Sequence, residues 1–513
     1  MRLNRKEFLT TVGRGAAATV AVAGLPELAA AQAASTGNPP KAEVQGAAIK
    51  GTTAAVRQFI ASSSLASMPP AVVEQGKRCL IDGFGVILAG SAAEGSHILR
   101  QYASRTAGMK QATVLGKEPL VVSAAHAALA NGGSGHALDY DDTQLSSTPD
   151  RTFGLLTHPT TPALSAALAV AEQVGASGAQ FLEAYLTGVE VECKMCESID
   201  PNHYERGFHS SGTFGVFGAT AAAAKLMKLT DRQIEHALAI SSSLSAGIRV
   251  NFGSMSKPLN VARAAENGVF SAEIASHGFT GGDDGLDGPW GFFQVLGGGA
   301  DLGRLVGALG KTWSIVSPGV SFKPYPCGSL SHPSMDAMLK VVVDNDLKPE
   351  QIKAVRLRAG RNILDPLRYT VVKTELEAKF SVPFLMSAII LRRRAGIREF
   401  TDEFVSSPEV QRMLPKVTGV RDEAIERLGF DKIRSTVEVD LVDGRTLVQK
   451  ADERYRGGPD LPFTREDLHG KFADCASMVL SDAQAKKALA GIETVDQMKS
   501  ARDLVRLLAP GRA

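Results

Sequence analysis

The segment Gly215–Leu229 sets the tightest limit on how this chain can fold. It reads Gly-Val-Phe-Gly-Ala-Thr-Ala-Ala-Ala-Ala-Lys-Leu-Met-Lys-Leu, with no charge before Lys225. A helix that is apolar on nearly every face has no side to turn towards water, so it belongs inside a large helical core. Its alanines and glycines also allow neighbouring helices to approach closely. Helix punctuation surrounds it. Thr161-Pro162 reads as an N-cap followed by proline at the first helical position, with the helix running through Ala163–Val174 and stopping at Gly175. Ser177 with Gln180 and Thr230 with Gln233 are capping boxes opening two more helices.

The pattern changes after residue 311. Val355, Leu357 and Ala359 alternate with Arg356 and Arg358, which is a half-buried strand. Val437, Val439 and Leu441 alternate likewise, and Asp443-Gly444 before Thr446–Gln449 marks a hairpin. A chain of 513 residues is also too long for one core, since single cores stop growing near roughly 250–300 residues. The expected fold is mostly α. It has a large all-helical domain over 52–311, a smaller α+β domain over 312–460, and helices over 461–513 that pack back on the first domain.

The N-terminus reads as a removable export signal over 1–33. Arg2, Arg5, Lys6 and Arg14 give a basic start, the stretch from Gly15 to Leu25 is weakly apolar, and Ala31-Gln32-Ala33 offers a cleavage site. Arg5-Lys6-Glu7-Phe8-Leu9 resembles the twin-arginine motif with lysine for the second arginine. The expected location is the periplasm, with 34–51 as a linker. Formal net charge is +2 and the basic residues are spread out, which argues against a nucleic-acid or membrane surface. Five cysteines form no disulfide framework, and Cys193-Lys194-Met195-Cys196 reads as buried thiols in a helix.

Five segments carry polar residues in apolar settings. His136-Ala137-Leu138-Asp139-Tyr140-Asp141-Asp142-Thr143 crowds three carboxylates into four residues, which shifts their pKa values. It lacks the glycine and terminal glutamate of a calcium loop. His158 in Thr157-His158-Pro159-Thr160 sits ahead of a helix N-terminus, where the dipole favours neutral imidazole. His209 in Gly207-Phe208-His209-Ser210-Ser211-Gly212-Thr213 precedes another helix start, a seat for anions. Lys257, before Pro258, adds its charge to a helix mouth. Lys323 and His332 flank the stiff loop Pro324-Tyr325-Pro326-Cys327.

Together these segments resemble the signature segments of the MmgE/PrpD family, whose members include 2-methylcitrate dehydratase, cis-aconitate decarboxylase and iminodisuccinate epimerase. The matching stretches are HALDYDDT, THPT, GFHSSGTFG, SMSKPLNVARAAENG, FKPYPCG with its following SH, EAKFSVPF, and the tail around Gly457–Phe472, all in family order. The resemblance implies a helical domain with a smaller lid, a homodimer, a site in the cleft between the domains, and no metal or other cofactor. It implies a pocket of Asp139, Thr143, His158, His209, Lys257, Lys323 and His332. In that pocket His158 is expected as the base, Asp139 as the partner of a histidine, Lys257 and Lys323 as cations for the substrate, and His209 or His332 as a proton donor.

Two departures bear on substrate. Asn260 stands where many relatives carry histidine, and Gln144–Leu156 is a polar insert. The expected function is a lyase removing water or CO2 beside a carboxylate of a small di- or tricarboxylic acid. An epimerase of a dicarboxylate such as iminodisuccinate is the alternative. A periplasmic carboxylate-binding protein is disfavoured, because the first domain lacks alternating strands and helices.

Overall fold

In a computed structural model of the protein, residues 49–106, 108–145, 156–199 and 202–509 are described. The expected export signal, most of the linker and the middle of the insert lie outside them.

Among the described residues the long helices of the first core are α1 (Thr52–Ser62), α2 (Pro70–Gly90), α3 (Glu94–Thr106), α4 (Ala124–Ala137), α5 (Thr160–Val174), α6 (Gly178–Ser198), α7 (Gly215–Met227), α8 (Asp231–Leu244) and α9 (Ser256–Ser276). α7 is buried without a break from Gly215 to Ala224. Its neighbours meet it backbone to backbone. A Cβ on Gly188 of α6 would lie 2.5 Å from the Gly218 carbonyl oxygen, and one on Gly268 of α9 would lie 2.4 Å from the Ala219 Cβ. The small residues therefore set the helix spacing of the whole core. Both capping boxes form, and Gly175 ends α5 in the left-handed region at φ 70°.

The start of α5 differs from the expected one. The helix begins at Thr160, so Thr161 lies in its first turn and does not cap it. The capping oxygen comes from the acidic turn instead: Asp142 accepts from the Thr160 N–H at 3.3 Å, and the Thr161 hydroxyl donates to Asp141 at 2.8 Å. A short antiparallel hairpin, β1 (Ala112–Val114) with β2 (Leu120–Val122), also interrupts the helical region. Three-residue strands are too short to show an alternating pattern.

The second core is built from α10 (His332–Asp344), β3 (Ile352–Ala359), α11 (Val382–Arg392), β4 (Val417–Arg421), β5 (Ser435–Leu441) and β6 (Thr446–Lys450). The sheet order is β4-β3-β5-β6, with β3 parallel to β4 and antiparallel to β5. Val355, Leu357, Val437 and Val439 turn inward. On the other face Arg356 and Arg358 pair with Glu438 across the strands. The Asp443-Gly444 hairpin joins β5 to β6.

The last three helices are α12 (Arg465–Ala476), α13 (Asp482–Glu493) and α14 (Ala501–Leu508). Their Leu468, Phe472, Ile492 and Leu504 join the first core. The two cores are stitched where the acidic turn ends. Thr143 and Ser321 exchange both backbone hydrogen bonds, at 2.9 and 2.8 Å. No described helix is long and apolar enough to cross a membrane.

Candidate active site

α4 ends in the acidic turn, and Asp139 takes the left-handed conformation at φ 51°. Aspartate tolerates that region better than most residues. The bend carries the Asp139 side chain towards two lysines from distant parts of the chain. Lys257, in the first turn of α9, donates to Asp139 Oδ1 at 2.8 Å. Lys323, from the loop entering the second core, donates to the same oxygen at 2.5 Å and to the Asp139 carbonyl at 2.8 Å. Burial pushes the Asp139 carboxyl upward, but the two ammonium groups outweigh it and hold it well below the usual carboxylate range. Its other oxygen, Oδ2, is buried without a hydrogen-bond partner. Two ammonium groups therefore share one carboxylate oxygen.

Lys257 also donates to His136 Nε2 at 2.8 Å and lies over the rings of Phe252 and Phe380. Burial lowers its pKa, with Asp139 opposing. His136 is in turn held through Nδ1 by both oxygens of Asp141 at 2.9 Å. The carboxylate that orients a histidine is therefore Asp141; Asp139, expected in that role, is taken by the lysines. His136 was not singled out from the sequence. A histidine inside an α-helix gives no signal until its partners are known.

His158 lies in the wall beside this cluster. Its Nδ1 faces the Asp142 carbonyl at 2.9 Å, and a carbonyl can only accept, so Nδ1 carries the proton and Nε2 is the basic nitrogen. Thr143 Oγ1 is 3.2 Å from the same Nδ1. Ser211 fixes the His158 backbone N–H at 2.9 Å. His209 has the opposite polarity. The Asn260 side-chain amide donates to its Nδ1 at 3.1 Å, which leaves Nε2–H as a buried donor without a partner. Burial depresses the pKa values of His136, His158 and His209 well below the ordinary imidazole value, so all three are neutral at neutral pH. Burial, with Asp82 next in effect, raises Asp142 to about 7.

One cavity is lined by Asp139, Thr143, His158, His209, Lys257 and Lys323. Its other walls are apolar, with Phe252 and Phe380 beside Leu330 and Leu367 of the second core. His332 does not line it. That ring lies one side chain deeper in the second core, with Nδ1 on the Tyr455 hydroxyl at 2.5 Å and Nε2 on the Cys327 carbonyl at 3.2 Å.

The histidine cluster also has metal-like spacing: candidate ligand atoms of His136, His158 and His209 lie within 4.8 Å of one another. The donor set fits an ion poorly. His136 has one ring nitrogen on an ammonium and the other on Asp141, and two lysines already supply positive charge.

Models of known families match the chain in two consecutive blocks, the MmgE/PrpD N-terminal domain over residues 54–305 and the MmgE/PrpD C-terminal domain over 325–497. The chain belongs to the MmgE/PrpD family. It is 26% identical to the cis-aconitate decarboxylases of Homo sapiens and Mus musculus. Those matches span 85% and 90% of this chain, and 90% and 94% of theirs. It is 22% identical to a cis-aconitate decarboxylase of Aspergillus terreus, over 89% of this chain and 96% of that one. In this MmgE/PrpD protein the signature stretches from five parts of the chain converge on one cluster. The Asn260 departure sits against His209, where it sets which ring nitrogen carries the proton.

Proposed function

We propose that this protein is a lyase that needs no metal or organic cofactor. It removes CO2 or water next to a carboxylate of a small di- or tricarboxylic acid, with cis-aconitate as first candidate. The observation that carries this reading is the meeting of Lys257 and Lys323 at one carboxylate oxygen, inside a cavity whose histidines are neutral. The names of the relatives support the same substrate class.

The substrate carboxylates bind against the two ammonium groups, whose attraction for an anion is strong in a site of low dielectric. When a bond beside a carboxylate breaks, negative charge grows on the carboxylate oxygens, and ammonium groups already in place stabilise it there without reorganising. His158 Nε2 takes or returns the proton at carbon. His209 Nε2–H serves the opposite side, as donor to a leaving hydroxyl or to a carboxylate oxygen. Decarboxylation breaks a C–C bond, sends its electron pair into the conjugated carboxylate, and consumes one proton at carbon.

One observation favours a second reading. His158 presents a bare nitrogen and His209 an N–H to the same cavity. A base paired with an acid is what an epimerase needs to invert a carbon beside a carboxylate. Turnover of cis-aconitate, citrate, 2-methylcitrate, tartrate and iminodisuccinate, followed in heavy water without added metal, separates the readings. A lyase releases CO2 or water, whereas an epimerase returns deuterium-labelled substrate of inverted configuration. Tight binding of these acids with no turnover would leave a carboxylate-binding protein.

The basic start and the Ala31-Gln32-Ala33 site support export, and the mature chain is then expected to begin near residue 34 in the periplasm. The family resemblance supports a homodimer.

A further inference from the structure

The two lysines at Asp139 are not equivalent. Lys323 donates to Asp139 Oδ1 at 2.5 Å, to the Asp139 carbonyl at 2.8 Å and to the Cys327 carbonyl at 3.2 Å. An ammonium group has three protons, so Lys323 has none left to give. Lys257 has two acceptors among the described residues, Asp139 Oδ1 and His136 Nε2, each at 2.8 Å. Its third N–H stays free, and the side chain lines the cavity. What orients that N–H lies behind Lys257. An ammonium group only donates, so His136 Nε2 is bare and the single proton of the neutral ring is on Nδ1, facing Asp141. Asp141 also accepts from the Thr161 hydroxyl at 2.8 Å, in the first turn of α5. The side chains of His136 and Asp141 are 0% exposed. A buried carboxylate has to be compensated. The two rings within reach of Asp141, those of His136 and His158, are neutral, and Lys257 is a cation one imidazole away.

We propose that Asp141 and His136 are positioning residues that aim the free N–H of Lys257 at a carboxylate of the substrate, while Lys323 anchors Asp139 and contributes charge alone. An ammonium group bound to one acceptor can still turn about its Cε–Nζ bond among staggered positions. Asp139, which meets Lys257 through a single oxygen, leaves that rotation open. A second acceptor at a fixed place closes it, because two directed N–H bonds of a tetrahedral nitrogen determine the third. His136 is that second acceptor, and Asp141 keeps its ring in the accepting tautomer. A second carboxylate in direct contact would neutralise the ammonium group; a neutral imidazole orients it and holds the negative charge of Asp141 one ring farther off. A donor fixed before the substrate arrives needs no reorganisation when charge grows on the carboxylate. The assignment rests on the proposed reaction for its use, but the tautomer and the hydrogen bonds are properties of the substrate-free protein.

Two substitutions at His136 test it, because their amides reach different ends of the ring. In His136→Gln the amide oxygen reaches the place of Nε2 and accepts from Lys257. In His136→Asn the shorter amide reaches Asp141 and leaves Lys257 with one acceptor. His136→Asn is expected to lower kcat/KM by about 100-fold, the order of cost of a misaimed group, and His136→Gln to recover about ten-fold of that loss. Equal losses in two variants that melt like the parent overturn the assignment. The 15Nζ resonance of Lys257 in the substrate-free protein gives a readout independent of turnover. Asp139 and Asp141 face Lys257 with negative charge, Lys323 with positive charge, and His136, His158 and His209 are neutral. Lys379, also within its field, titrates at about 7, so the Lys257 resonance and not the activity profile reads the change. Loss of an acceptor from a buried ammonium group favours the neutral amine. The Lys257 titration should therefore move to lower pH by about one unit in His136→Asn, and less in His136→Gln. Asp141→Asn removes a negative charge and should move it the same way, which serves where His136→Asn does not fold. The His136 ring should show Nδ1–H and a bare Nε2. Nε2–H on His136, or an unmoved Lys257 titration, overturns the assignment. A parent inactive on every carboxylate, with these resonances as expected, would count against the proposed function and leave the orientation of Lys257 standing.

Discussion

At the scale of single residues, the chemistry of the site depends on which groups carry protons. Burial keeps His158 neutral by pushing its pKa well below the ordinary 6.5. The base form therefore persists as pH falls through 6.5, and is lost only when pH falls through the depressed value. An acid limb of kcat/KM below 6.5 is expected from His158, separate from any step near 7 where Asp142 takes up its proton; the absence of a limb below 6.5 would remove His158 as base. His158→Gln and Lys257→Met should each lower kcat/KM by about 10²–10⁴-fold, with melting temperatures showing that the variants fold. Asn260→Asp makes a finer test. Aspartate accepts where the amide donates, so the His209 proton moves to Nδ1 and the donor facing the cavity is lost; 15N spectra read the tautomer and kcat reads the consequence.

Much of this cluster was legible in the sequence, because charged and imidazole side chains in apolar stretches have few structural uses. Six of the seven expected residues, all but His332, line the cavity. What stayed hidden was pairing. Nothing in HALDYDDT says that Asp139 turns to the lysines while Asp141 turns to His136, because that depends on one left-handed residue. Tyr455 stands 123 positions from His332 and has no local signal at all.

At the scale of elements, α12 props the acidic turn from behind. Lys471 donates to the Tyr140 carbonyl at 2.8 Å, lies over the Tyr140 ring, and pairs with Asp82 of α2 at 2.6 Å. All three residues are buried. Lys471→Met leaves Asp82 without its cation and is expected to destabilise the protein by about 3–5 kcal/mol in denaturant unfolding. Adding Asp82→Leu should recover most of that, since a buried pair replaced by apolar groups is often neutral. Recovery of activity should be smaller than recovery of stability, because the Tyr140 carbonyl beside Asp139 stays unpinned. Gly268→Leu places a side chain against α7 and should destabilise by about 1–3 kcal/mol or more through overpacking. The capping boxes and the β5–β6 hairpin were legible because each is a local rule in a few residues. β4 was missed, since Val417, Thr418 and Gly419 show no alternation and its partner β3 lies over fifty positions away.

At the scale of the whole molecule, the site exists because two cores share one seam. Lys257 and the histidines belong to the first core, whereas Lys323 enters with the second, and Thr143 is bonded to Ser321 across the join. Neither core holds the full cluster. Positive charge comes from lysines, so prolonged treatment with a chelator is expected to leave turnover unchanged; a loss restored by one divalent metal would reassign the histidine cluster as its ligand set. The most direct test of the central proposal is proton NMR of cis-aconitate incubated with the protein in heavy water, beside the His158→Gln variant. Loss of CO2 with deuterium incorporated at one carbon, abolished in the variant, is the expected result. Neither decarboxylation nor deuterium exchange in this or any small polycarboxylate, at concentrations where it binds, would contradict the account.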